Sequence, residues 1–123
     1  MPARGRSRRP EQVGESIRAT LAEALLRGDV RDPRIGMVTV SGVEVTRDLS
    51  HATIRVLPHG TPEERAAAVE GLQSAAGFLR RLVARTLTTR TVPELHFVLD
   101  RGLEHAQRID QILADLKHDR ESS

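Results

Sequence analysis

The sequence predicts a small α+β domain whose elements run α-β-β-α-(kink)-α-β-α. Three observations lead there. Apolar residues recur at helical spacing in some stretches and alternate in three others, and proline and glycine stand between the two kinds of pattern. At 123 residues the chain makes one domain with short tails, and 38% hydrophobic residues are enough to fill a modest core.

Residues 1–9 (MPARGRSRR) have no apolar period and read as a disordered basic arm. A helix begins at Pro10. Val13, Ile17, Leu21 and Leu25 recur every four residues on one face of it, and Gly28 suits its C-cap. Asp32 and Pro33 then set a turn, with Arg34 either anchoring it or lying on the surface. Val38 and Val40 alternate, and Val43 and Val45 continue in the opposite phase. That phase change places a bulge at Ser41-Gly42. After a turn at residues 46–50, Ala52, Ile54 and Val56 form the inner face of a second strand, antiparallel to the first.

Thr61-Pro62-Glu63-Glu64 starts the next helix, with Thr61 as cap and Glu64 closing a capping box. It runs to about Leu72. Ala75-Ala76-Gly77 marks a kink or break before a helix carrying Phe78, Leu79, Leu82, Val83 and Leu87. Both phenylalanines, Phe78 and Phe97, sit at apolar-periodic positions and are expected in the core. Past Pro93, Leu95, Phe97 and Leu99 alternate with Glu94, His96 and Val98 as a third strand. Leu103, Ala106, Ile109, Ile112 or Leu113, and Leu116 space a C-terminal amphipathic helix. Such a stripe more often packs on a core than on a partner. The domain therefore spans 10–116, followed by a polar tail at 117–123.

Charge is distributed unevenly. The formal net charge is +2, yet residues 1–9 hold Arg4, Arg6, Arg8 and Arg9 with no acid. Residues 74–93 hold Arg80, Arg81, Arg85 and Arg90, again with no acid, and acids outnumber bases in the remainder. Exposed helix faces usually mix signs. Arginine gathered in one tail and one helix suits docking on an anion in one orientation, with RNA the first candidate. With so few aromatic residues, phosphate and shape contacts are expected to outweigh base stacking.

Other chemistries find little support. There is no cysteine and hence no thiolate nucleophile or ligand. His51, His59, His96, His105 and His118 are scattered, without helical metal-site spacing, so no metal is expected. No Ser/His/Asp word or phosphate-cradling glycine loop occurs. A nuclease would need carboxylates beside the basic stretch, which has none. The chain is therefore read as no enzyme, with no cofactor and no small-molecule substrate. With no apolar run of roughly 20 residues it is expected to be cytoplasmic, away from membranes. It is expected to be a monomer, although an open sheet edge is a place where copies could pair.

The local words also resemble a known family, ribosome-binding factor A, which assists assembly of the bacterial small ribosomal subunit. The words are Asp32-Pro33-Arg34-Ile35, Val38-Thr39-Val40, Val43-Glu44-Val45-Thr46, Asp48-Leu49-Ser50 with Ala52, Ala75-Ala76-Gly77, Arg80-Arg81-Leu82, and Val92-Pro93-Glu94-Leu95-His96-Phe97. They cover roughly residues 8–116. The resemblance implies a type II KH-like fold, with a three-stranded sheet covered by helices on one face. It implies binding to the free small (30S) subunit and help in late maturation and 5′-end processing of 16S rRNA, without catalysis. It also makes Ala75, Ala76 and Gly77 the interhelical kink that replaces the Gly-x-x-Gly loop of ordinary KH domains, a loop absent from this chain. The RNA contacts expected on this reading are Arg80, Arg81, Arg85 and Arg90 with Arg4, Arg6, Arg8 and Arg9. Two rival readings are a general structured-RNA-binding module and a protein-interaction domain acting through the C-terminal helix.

Overall fold

The computed structural model describes residues 9–88, 90–102 and 111–117. The elements follow the predicted order: α1 (Pro10–Arg27), β1 (Val38–Val45), β2 (His51–Pro58), α2 (Pro62–Ser74), α3 (Ala76–Thr86) and β3 (Glu94–Leu99). Residues 111–117 are also helical. The sheet order is β1-β2-β3, with β1 and β2 antiparallel and β2 and β3 parallel. The parallel pair needs a long crossover, which the two helices α2 and α3 supply.

Local chemistry explains the boundaries. Gly28 ends α1 in the left-handed conformation (φ 72°), where a Cβ would be strained. Thr61 and Glu64 form both halves of the capping box, worth about 1 kcal/mol at the Thr61 cap. The β1–β2 register shifts between Val40 and Gly42, so Val43 and Val45 return to the inner side.

All three long helices lie on one face of the sheet. Val13, Ile17 and Leu21 of α1, Leu72 of α2, and Leu79 and Val83 of α3 are fully buried against Ala52, Ile54 and Val56 of β2. Leu95 and Phe97 complete the core from β3. Truncating Leu72 or Leu79 to alanine would cost about 2–5 kcal/mol. The opposite face carries the alternate residues, and none of α1, α2 and α3 packs on it: His51, Thr53, Arg55 and Leu57 from β2, Glu94, His96 and Val98 from β3. Among the described residues no helix is long and apolar enough to cross a membrane.

Two expectations need correction. Phe78 is not in the core but 38% exposed. The inward stripe of α3 is Leu79 and Val83, and one residue of helix turns the side chain by about 100° onto another face. Ile112, Leu113 and Leu116 are each more than half exposed. The covered face of the sheet is already filled by α1, α2 and α3, which leaves them no place in the core. Leu103, Ala106 and Ile109 lie outside the described residues.

Candidate nucleic-acid interface

The joint between α2 and α3 positions the basic surface. Ala75 ends one helix and begins the next with φ −89° and ψ 3°. Its N–H donates to the carbonyls of Gly71 and Leu72, and its own carbonyl accepts from Leu79 N–H at 3.0 Å. The chain thus bends with its backbone groups satisfied. The break falls at Ala75 and not at Gly77, which sits in the first turn of α3. A Cβ at Gly77 would meet nothing nearer than Arg81 Nη1 at 4.0 Å, so no neighbouring atom demands a glycine there. The close approach belongs to Gly71: a Cβ there would lie 3.0 Å from Ile35 Cγ1 and 3.3 Å from Asp32 Cγ. The sequence offered no sign of which glycine packs.

Beyond the joint, Gly77, Arg80, Arg81, Ala84, Arg90 and Val92 line a shallow depression of about 440 Å³. The structure brings Arg80, Arg81 and Arg90 together there. Arg80 also shapes the site, because its Nη2 and Nε donate to the Val92 carbonyl at 2.7 and 3.3 Å. This pins the loop that carries Arg90 to α3. The Arg81 guanidinium carbon lies 6.0 Å from the centre of the Phe78 ring, at the outer reach of a cation–π contact. Arg85 stands apart, in a second depression with Thr20, Glu23, Ala24, Arg27 and Asp29. Its neighbourhood carries acid, that of Arg81 and Arg90 does not. Arg9 is the N-cap residue of α1, its carbonyl accepting from Gln12 and Val13 N–H. Arg4, Arg6 and Arg8 lie outside the described residues.

Among the described residues, Arg80, Arg81, Arg85 and Arg90 form no ion pair, whereas Arg18, Arg27, Arg34 and Arg55 hold Glu15, Glu23, Asp32 and Glu44 respectively. Arg34 anchors its turn. Its Nη2 lies 2.7 Å from Asp32 Oδ2, and its backbone N–H donates to Oδ1 at 2.9 Å. The hydrogen bonds from the Arg34 side chain and backbone lower the Asp32 pKa to about 2. The sheet edge has a partner that sequence reading missed. Gln73 of α2 donates to the Leu95 carbonyl at 3.1 Å and accepts from Phe97 N–H at 2.9 Å. Its side-chain amide occupies backbone groups that an added strand would use. A third group, His51, Glu94 and His96, meets on the open face of the sheet.

The fold and this surface define a KH-like α+β domain whose α3, unlike α2, is cationic, with no Gly-x-x-Gly loop. Residues 9–113 match the sequence model of ribosome-binding factor A. The chain is 46% identical over 115 residues to ribosome-binding factor A of Thermomicrobium roseum, covering 94% of this chain and 88% of that one. It is 48% identical over 105 residues to that of Thioalkalivibrio sulfidiphilus, covering 85% and 81%. A ribosome binding factor A of Thermotoga maritima, solved by solution NMR, superimposes with a TM-score of 0.65 at 40% identity, over 73% of this chain and 85% of that one. The Thermus thermophilus factor, as a homology model fitted into a cryo-EM map of a 30S complex, gives 0.61 at 26% identity, over 75% and 96%. The chain belongs to the ribosome-binding factor A family. That family is named for binding and not for a reaction.

Proposed function

We propose that this chain binds the small ribosomal subunit, gripping 16S rRNA phosphates with the depression beyond the helix joint. The carrying observation is the convergence of Arg80, Arg81 and Arg90 on one surface, with no acid anywhere from residue 74 to 93. The Thermus thermophilus relative fitted as a 30S complex supports the choice of target. Each arginine set against a phosphate releases condensed counterions, so affinity falls steeply with salt. Gly77 leaves the helix backbone open beside Arg81, so a sugar-phosphate chain can approach closely. Phe78, exposed at the same joint, offers a face for one unstacked base. The arm with Arg4, Arg6, Arg8 and Arg9 adds contacts with little sequence choice. The bound protein favours one local rRNA conformation, because it binds that conformation better than its alternatives. In this way it assists late maturation and 5′-end processing without catalysing either.

Co-sedimentation of the purified protein with free small subunits, intact ribosomes and an unrelated structured RNA tests this at moderate salt. Retention on free small subunits alone is the expected outcome. Equal retention on all three would leave a general RNA-binding module. Retention on none would turn the reading to a protein partner, for which Ile112, Leu113 and Leu116 present an exposed apolar stripe.

A further inference from the structure

We propose that His51, Glu94 and His96 form a divalent transition-metal site on the open face of the sheet. The sequence gives no metal-binding spacing, and the strand register creates one. His51 opens β2 directly opposite Glu94, the first residue of β3, and His96 follows two residues later on the same side. The face they share is the one opposite α1, α2 and α3. Glu94 N–H donates to the Ser50 carbonyl at 2.9 Å, so the backbones that present the ligands are tied together.

Three particular atoms converge. His51 Nδ1 lies 3.0 Å from His96 Nε2 and 3.7 Å from Glu94 Oε2, and His96 Nε2 lies 3.9 Å from that same oxygen. A point equidistant from atoms so spaced lies about 2.1 Å from each, which is a zinc–nitrogen or zinc–oxygen bond length. The ring centroids are 5.1 Å apart with planes inclined by 35°, so the rings meet nitrogen to nitrogen and are not stacked. A hydrogen bond between the rings uses only two of these atoms and leaves the carboxylate beyond bonding distance. A cation at the centre satisfies all three together.

The donor set selects the ion. Two imidazoles with one carboxylate favour zinc and its first-row neighbours over magnesium or calcium, which prefer oxygen. Coordination requires a single tautomer change. The ring that donates in the metal-free pair moves its proton to its other nitrogen, and both facing nitrogens then offer lone pairs. The side chains of His51, Glu94 and His96 are 50%, 60% and 46% exposed, so solvent reaches the remaining coordination positions. Bound there, the ion clasps β2 to β3 at the end where both strands begin.

Isothermal titration of the full chain with zinc chloride, with magnesium chloride as control, tests the site. We expect one saturable zinc site and none for magnesium. His51→Ala and His96→Ala each weaken it by at least the roughly tenfold that even the removal of an outer-shell partner costs, and Glu94→Gln also weakens it. His59→Ala, on a residue outside the cluster, leaves it unchanged. In the unaltered protein, zinc shifts the ring resonances of His51 and His96 but not those of His59, a readout independent of how any variant folds. Zinc also raises the unfolding temperature of the unaltered protein and not of the His51→Ala/His96→Ala double variant. The absence of saturable zinc binding, or equal binding by that double variant, would overturn the proposal, as would ring shifts confined to other histidines.

Discussion

Arginines in two regions of this molecule lead different lives. Around α1 and the β1–β2 hairpin, Arg18, Arg27, Arg34 and Arg55 each hold a carboxylate. Around the helix joint, Arg81 and Arg90 face a depression that no acid lines. The first group is neutralised within the chain, twice along α1, once in the Asp32 turn and once across the β1–β2 pair. The second is left without a carboxylate among its lining residues, and on the proposed reading like charges held together gain most when an anion arrives. Arginine abundance therefore says little, and it is the partition of acid around the arginines on which the proposed binding surface rests.

The largest expected effect comes from breaking that partition. Arg81→Glu with Arg90→Glu should abolish retention on small subunits while leaving stability within about 0.5 kcal/mol, because both side chains are exposed. Neutralising both to glutamine instead should reduce the slope of log affinity against log salt by roughly 0.9 for each phosphate left without its arginine. Arg85→Glu, beside Glu23 and Asp29, should do markedly less. If Arg85→Glu matched the double reversal, the depression would not be the contact surface. Arg80 is a poor choice for this test, since its bonds to Val92 make its loss a structural change as well.

Two glycines flank the joint and sharpen the contrast between fold and surface. Gly71→Ala presses a methyl on Ile35 and Asp32, and overpacking of about 1–3 kcal/mol, offset by about 1 kcal/mol of helix propensity, should leave a net cost of about 0–2 kcal/mol in a denaturant titration. Gly77→Ala meets open space and improves helix propensity, so stability should hold or rise by up to about 1 kcal/mol. Subunit binding should fall in Gly77→Ala all the same, because the methyl projects into the depression. A Gly77→Ala protein that binds normally would remove that residue from the interface.

Much of the scaffold was readable because its signals are local. The four-residue recurrence from Val13 to Leu21, the capping box of Thr61 and Glu64, and the phase slip at Gly42 each act within a few residues of chain. The charge asymmetry marked α3 as the surface to study for the same reason. What stayed hidden depends on pairings that sequence distance conceals. Gln73 reaches the edge of β3, Gly71 touches the turn at Ile35, and His51 meets His96 only because β3 runs parallel to β2. The periodicity of α3 was correct in kind but could not fix its rotation. A single residue separates buried Leu79 from exposed Phe78, and a few more separate Arg81 from the different neighbourhood of Arg85.

The smallest expected effect belongs to the hairpin, in the region where charge is already satisfied. The Asp48 carboxylate accepts from the Ser50 hydroxyl at 2.7 Å, from the Thr46 hydroxyl at 2.8 Å and from Ser50 N–H at 3.1 Å. These bonds, the Ser50 hydroxyl foremost, lower its pKa from 3.8 to about 2. A carboxyl whose folded value is depressed stabilises the fold fully above its unfolded value. That contribution then fades as pH falls from about 4 through about 2. The turn also holds Leu49 at φ 62°, a conformation that a leucine does not favour, so the Asp48 bonds keep a reluctant backbone in place. Acidification across that window should speed amide exchange at Ser50 and His51 before the core residues respond, once the intrinsic pH dependence of exchange is removed. Asp48→Asn should flatten much of that local response, leaving the Asp32 turn to titrate on its own. A turn that opens no more at pH 2 than at pH 5 would mean that the strand pairing alone, and not the carboxylate, holds Leu49 where it is.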